Sequence, residues 1–478
     1  MPMPSGLPWF EGRSHAPGLR SLPASGGLLA FIFFCTLCLS MAMAKVPLAM
    51  TGILVVALAI FIISFVSTEF GLYVVVFSML LSPEFGAGGL GGGSATTASR
   101  GVTIRAEDML LVLLGFSWLA HMAVHKELGL VRKTPLNGLI GYYIISCLFS
   151  TSMGFLTGHV SGLTGFFYVL KYVEYFVVYF IVANYLHSHA QIRRFVIALL
   201  ITALIVTLVA LAQIPSGERV SAPFEGERGE PNTLGGYLLF VGAIAAGLLF
   251  NLENRRIKYA LGGLISLMLI PFLATLSRGS YLALPFVYFA LIYLNKKHRA
   301  LLIGMMIGFT VLGATLMPQM VKDRIMYTFE QKTKAKRVEV GGVALDTSTS
   351  ERLTSWKEAL EDSLKSPLWG FGVTGYGFLD AQYPRILVET GFLGLLLFGL
   401  LIRAVFREAF GVLRRAREPL YRGLAMGLIA GLVGILVHGV GANSFIIVRL
   451  MEPFWLVVGL VICADRLEGE ATGDPQVE

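Results

Sequence analysis

Charge is what this sequence has least of. Lys, Arg, Asp and Glu make up 14% of its 478 residues against 55% hydrophobic ones, and the mean hydropathy is +0.72, values that exclude an ordinary soluble chain. Cysteine is scarce too. Cys35, Cys38, Cys147 and Cys463 all fall in apolar stretches, and the C-x-x-C at 35–38 lacks the polar neighbours and the second pair that a zinc site needs. The four read as packing residues, and no metal or cofactor is expected. No internal repeat is visible, which argues against the two related halves on which many secondary transporters are built. Nor does a strand precede the G-x-G-x-x-G at 370–375, so that pattern gives no nucleotide site and instead lets the chain turn.

What is abundant is apolar runs of about 16 to 22 residues, close to the ~20 that cross a bilayer core as helix. The chain therefore reads as an all-α polytopic membrane protein with about 12 to 14 transmembrane helices. The spans are 27–44, 47–67, 70–84, 107–124, 138–156, 165–187, 195–214, 234–251, 259–275, 279–294, 300–317, 384–404, 422–440 and 444–464. The apolar stretch at 27–44 runs nearly into the next one, a pattern of two spans rather than of a cleaved leader.

A net charge of +8 is here a topological signal and not a nucleic-acid footprint. The basic residues cluster in alternate short loops: Arg132 and Lys133, Arg193 and Arg194, Arg255 to Lys258, Lys296 to Arg299, and Arg407 to Arg417. These loops read as cytoplasmic. The organisation that follows is a cytoplasmic tail at 1–26, membrane helices over 27–317, one long periplasmic loop at 318–383, C-terminal membrane helices over 384–464 and a tail at 465–478. A Gly/Ser/Thr-rich linker at 85–106 has no assigned role beyond flexibility. In the long loop, 331–350 is polar, whereas 350–366 has the pattern of an amphipathic helix: Ser350 opens it, Leu353, Trp356 and Leu360 share a face, and Pro367 ends it.

Three outward segments could carry chemistry. In "RVSAPFEGERGEPNTLGGYL", Arg219 and Arg228 precede a helix that starts at Pro231-Asn232-Thr233. Free N–H groups at that start, with guanidinium forks beside it, suit a phosphate; a solvated, capped loop accounts for the same residues. In "LSRGSYLAL", Arg278 sits in a tight turn between two spans, where it either meets an anion or snorkels to water. At the loop's return to the membrane, Asp380, Tyr383, Arg385 and Glu389 line the border, and 385 and 389 have the spacing of a helical ion pair. Two more pairs, Lys171 with Glu174 and Arg449 with Glu452, lie at matching depth inside the membrane. Each either neutralises itself on its own helix or lines a polar cavity.

Taken in order, "RVSAPFEGERGEPNTLGGYL", "LSRGSYLAL" and "SERLTSWKEAL" through "PLWGFGVTGYG" to "YPRILVETGFLG" resemble the O-antigen ligase and polymerase family of WaaL-type ligases and Wzy-type polymerases. The likeness spans about residues 165–465. It implies a metal-independent glycosyltransferase of GT-C-like fold, acting on polyprenyl-diphosphate-linked oligosaccharide at the periplasmic face of the bacterial inner membrane. Arg219 and Arg278 would clamp the diphosphate, with Arg352 as a third candidate. Asn232, Arg228, Tyr383, Arg385 and Glu389 would line the substrate site. Ligases of the family carry His-Asn nine residues before the "ETG" glutamate, where this chain has Asp380 and Ala381. The departure favours a polymerase, with Asp380 orienting or deprotonating an acceptor hydroxyl and His438 ranked behind it. A polymerase would work beside a flippase and a chain-length regulator, with the bilayer as a partner and no nucleic acid. A ligase that transfers polymer to lipid A-core, and a non-enzymatic flippase of lipid-linked sugars, are the alternatives.

Overall fold

Long apolar runs leave the chain one way to satisfy its backbone in lipid, which is to hydrogen-bond within each run as helix. The computed structural model describes residues 59–82, 84–85, 104–124, 132–224, 229–316, 322, 326, 339–340, 343–344 and 347–472. The expected spans 27–44 and most of 47–67, most of the 85–106 linker, Arg228 and residues 331–338 lie outside them.

The helices are α1 (Thr68–Leu81), α2 (Ala106–Val124), α3 (Asn137–Leu156), α4 (Thr164–Tyr185), α5 (His189–Gln213), α6 (Pro231–Asn251) and α7 (Arg255–Ala274). There follow α8 (Arg278–Leu294), α9 (Arg299–Leu316), α10 (Thr347–Ser363), α11 (Gln382–Arg415), α12 (Pro419–His438) and α13 (Val448–Thr472). The β-structure among the described residues is two minimal antiparallel ladders, Glu84–Phe85 with Ile104–Arg105 and Glu339–Val340 with Val343–Ala344. The protein is thus an all-α polytopic membrane protein. Among the described residues, seven helices, α3 to α7 with α11 and α12, are long and apolar enough to cross a membrane, and the apolar segments Thr68–Leu81, Arg278–Leu294 and Arg299–Gly308 are shorter.

Polar caps set several starts. Ser67, Ser188 and Ser277 accept from Phe70, Gln191 and Ser280 N–H, and the Asn254 side chain accepts from Arg256 and Ile257. Short turns reverse the chain, so the basic loops collect at one end of the bundle. The connections 214–230, 275–277, 364–381 and 439–447 collect at the other.

Residues 60–478 form one unit, whose centre is α6 packed on α12; 83% and 78% of their apolar windows are buried. Glycine makes that approach possible. A Cβ on Gly247 would lie 2.3 Å from the Gly423 carbonyl oxygen, and one on Gly427 would lie 2.6 Å from the Ile244 Cα, so the two backbones touch directly. Peripheral helices are two-sided. On α3, Ile140, Tyr143, Cys147 and Ser150 are buried while Tyr142, Ile145, Phe149 and Leu156 are exposed, the distribution expected of a helix with lipid on one side.

The amphipathic helix of the long loop is present as α10, starting at Thr347 rather than Ser350. Its buried stripe differs from the expected one. Ala359 is buried, with Trp356, Leu379, Val388, Phe371 and Tyr376 around it, whereas Leu360 is 51% exposed.

Candidate active site

Two helix starts meet at the end of the bundle opposite the basic loops. Asn232, in the first turn of α6, accepts a hydrogen bond from the hydroxyl of Ser277, the N-cap of α8, at 2.7 Å. Ser280 donates to the same Ser277 hydroxyl at 2.9 Å, and a Cβ on Gly235 would sit 2.3 Å from Ser280 Oγ. The positive ends of two helix dipoles therefore point to one place.

Arg278 begins α8 there, half-buried, and its Nη1 donates to Thr349 Oγ1 at 3.2 Å. Arg219 reaches the same turn from the other side. Its Nε donates to the Thr275 carbonyl at 3.0 Å and its Nη2 to the Leu276 carbonyl at 3.3 Å, while the Val220 N–H donates to Ala274 O at 3.2 Å. Leu276 has φ of 49°, so this turn is one that an L-residue adopts only when its surroundings hold it. Arg219 holds it by donating to the carbonyls that end α7 and form the turn.

The long loop closes over this place. Arg352 on α10, one turn after Thr349, pairs with Asp380 at 2.5 Å. Asp380 precedes α11, whose first residue Gln382 is clamped to the α12–α13 connection: Gln382 N–H donates to Gly439 O at 3.0 Å and Gln382 Oε1 accepts from Phe445 N–H at 2.9 Å. Asn443 donates to the Leu379 carbonyl at 2.8 Å. Below the loop Tyr376 donates to Asp362 at 2.8 Å. Lys365 first, then Tyr376, hold the Asp362 carboxyl below its usual range. Burial, with the Asp362 charge beside it, pushes the Tyr376 hydroxyl up to about 12, so the tie keeps its proton at neutral pH.

His438, the last residue of α12, is fully buried. Its Nδ1 is 2.7 Å from the Ser444 hydroxyl, and its Nε2 has no hydrogen-bond partner. The ring lies between α6 and α8: a Cβ on Gly236 would be 3.3 Å from its Cε1, and one on Gly279 would be 3.7 Å from its Nε2.

Arg385 and Glu389 form the expected ion pair, 3.1 Å apart and 13% and 5% exposed. They serve the backbone nearby. Glu389 Oε1 also accepts from Thr374 N–H at 3.0 Å, at a place where α11 is broken by Gly391, which has φ of 67°. The carbonyls freed by the break are taken up by the glycine-rich loop: Phe371 N–H donates to Val388 O at 2.9 Å and Gly372 N–H to Glu389 O at 2.8 Å. A Cβ on Gly370 would stand 2.5 Å from the Glu389 carbonyl. The G-x-G-x-x-G pattern is thus a splint for a broken helix. Tyr383 donates to the Leu436 carbonyl at 2.5 Å, which ties α11 to α12.

The intramembrane charges pair across helices, and Lys171 pairs along its own helix as well. Lys171 bonds Asp108 of α2 and stands 3.9 Å from Glu174. Arg449 donates to the carbonyls of Pro223 and Ser82, at 2.8 and 2.9 Å, and lies 3.9 Å from Glu107. Glu452 is buried with neither oxygen hydrogen-bonded.

Of the residues expected at the site, Arg219, Asn232 and Arg278 meet at one turn, and Arg352 and Asp380 pair on the loop above it. Arg385, Glu389 and Tyr383 are engaged in holding the α11 entrance, and Arg228 is outside the described residues. Residues 263–399 match the family model described as O-Antigen ligase. That segment holds Arg278, Arg352 and Asp380, the three residues where α8 and the long loop meet. That segment, less than a third of the chain, is similar to the O-antigen ligase family. Arg219, Asn232 and His438, outside the matched segment, are brought to the same place by the fold. No curated protein matches the chain. Thr349 and Ser444 were not singled out in the sequence; Thr349 lies in a polar run and Ser444 at the start of an apolar one, and only their contacts set them apart.

Proposed function

We propose that the protein is a polymerase of O-antigen or exopolysaccharide. It joins undecaprenyl-diphosphate-linked oligosaccharide repeat units at the periplasmic face of the inner membrane by a GT-C-type, metal-independent transfer. The observation that carries this reading is the convergence of two helix N-termini and Arg278 on one turn, at the end of the bundle opposite the basic loops. Two dipole ends and a guanidinium form a fixed positive site for a diphosphate, and they need no reorganisation when negative charge grows on the leaving group.

In the reaction, an acceptor hydroxyl oxygen attacks the anomeric carbon of the donor. The bond from that carbon to the diphosphate oxygen breaks, and the electron pair leaves with the diphosphate onto Arg278, with inversion. Arg219 keeps the turn in its strained conformation. Arg352 and Asp380, on the loop that covers the turn, position the acceptor sugar. An aspartate where ligases of the family carry histidine supports polymerisation over transfer to lipid A-core, and a flippase and a chain-length regulator are the expected partners.

Purified protein in proteoliposomes, given a lipid-linked repeat unit with chelator present, tests the reading. Wild type is expected to build a ladder of polymer. Arg278→Ala should lower the rate by about 100-fold or more, and Arg278→Lys should recover little, because an ammonium has no bidentate fork. Translocation of unaltered lipid-linked unit, or normal ladders from both variants, would overturn it.

A further inference from the structure

The displacement just described releases a proton from the acceptor hydroxyl, and Asp380 is a weak candidate to take it. Its carboxylate oxygen Oδ2 is already engaged by the Arg352 guanidinium at 2.5 Å, which leaves it committed to the loop's own ion pair. His438 has the opposite circumstances. It is buried, its Nδ1 is 2.7 Å from Ser444 Oγ, and its Nε2 is unpartnered. A buried polar nitrogen without a partner is uncommon and calls for a reason.

Its position supplies one. The ring packs over Gly279, where a side chain is missing, so the Nε2 edge faces the first turn of α8, next to Arg278. The helix start and the guanidinium are both positive, and they favour the tautomer that presents a lone pair at Nε2 and carries its proton on Nδ1. Ser444, itself fully buried, then accepts from Nδ1–H. Two more buried polar atoms without partners lie nearby: Trp356 Nε1, on a side chain packed against the cluster of Ala359, Leu379 and Val388, and Asn443 Oδ1, next to Ser444 in the chain, on a side chain whose amide nitrogen donates to the Leu379 carbonyl. A donor, an acceptor and a base, all buried without partners, are the complement of a polyhydroxyl ligand.

We propose that His438 is the general base of the transfer, held in its working tautomer by Ser444, with the acceptor sugar seated between it, Trp356 and Asn443. The inference rests on the polymerase reading. The acceptor O–H proton passes to Nε2 as the oxygen bonds to the anomeric carbon, the diphosphate leaves with the electron pair, and the imidazolium gives its proton to solvent as product departs. The charged groups around the ring are Arg278 beside Gly279 on α8, and the Arg352–Asp380 pair, whose guanidinium lies 4.0 Å from the Cβ position of Gly441.

The test measures kcat and KM against pH in proteoliposomes for wild type, His438→Asn, His438→Gln, Ser444→Ala and Asp380→Asn. Asparagine at 438 keeps an amide for Ser444 but has no base. It is expected to lower kcat by about 100-fold or more, with KM within about threefold, to remove the acidic limb of the profile, and to be partly rescued by added imidazole. Asp380→Asn should keep that limb. If the His438 variants fail to fold, Ser444→Ala carries the test: a shifted acidic limb with KM unchanged supports the proposal, and a wild-type profile overturns it. Retention of kcat and of the limb in His438→Asn or His438→Gln, or a loss in KM alone, also overturns it. A wild-type protein that forms no glycosidic product at all refutes the polymerase reading instead, and the base falls with it.

Discussion

Glu107 and Glu452 are buried in the same bundle, and their surroundings treat them differently. Glu107 lies 3.9 Å from the Arg449 guanidinium and accepts from Ser82, whereas no donor reaches either oxygen of Glu452. Removing one partner of a buried ion pair leaves the other charge stranded, at a cost on the order of 3 kcal/mol. Glu107→Ala is therefore expected to lower the melting temperature in detergent clearly. Glu452→Gln, which replaces a desolvated carboxylate with a neutral group of the same shape, should leave it unchanged or raise it. Equal losses in the two variants would show that Glu452 has a stabilising partner of its own. This difference was hidden in the sequence. The spacing of Lys171 with Glu174 and of Arg449 with Glu452 pointed either to pairs within each helix or to a polar cavity. Lys171 does lie 3.9 Å from Glu174, but its closer partner Asp108 and the Arg449 partner Glu107 come from α2, more than 60 positions away in the chain for Lys171 and Asp108.

At the scale of elements, apolar runs gave helix positions well and helix ends poorly. α5 begins at His189, six residues before its apolar run, and α11 continues to Arg415, past the run that stops at 404. Hydropathy ends at the first charges, whereas a helix continues through Arg193 or Arg407 because its backbone is still satisfied and the side chains reach water. The break at Gly391 was not legible either, since a helical glycine and a left-handed one look alike in sequence. The structure separates them. A Cβ at Gly391 would lie 2.4 Å from the Leu368 carbonyl and would sit on a φ of 67°, while one at Gly399, also on α11, meets nothing within 4 Å. Gly391→Ala should cost about 1–3 kcal/mol through strain and collision. Gly399→Ala should be neutral or stabilising by up to about 1 kcal/mol. Thermal unfolding of the two variants side by side checks this, and equal melting temperatures would remove the splint role given to the glycine-rich loop.

For the whole molecule, the bundle and the long loop divide the work. The bundle fixes two helix starts and an arginine at one depth, and the loop brings Arg352, Asp380 and Trp356 over them, with the end of α12 adding His438 and the α12–α13 connection adding Asn443. The arginines were visible in the sequence because a charge at the end of an apolar run is conspicuous. His438 was visible but ranked low, since its value depends on Gly236 and Gly279 being small and on Ser444 being near, none of which spacing reveals. The most direct measurement is gel analysis of surface polysaccharide from cells that lack the gene, complemented with wild type or with Arg278→Ala. A polymerase predicts that wild type restores long polymer, while Arg278→Ala leaves single repeat units on their normal acceptor. Polymer retained on its lipid carrier, with no transfer to lipid A-core, would contradict that account and make the protein a ligase.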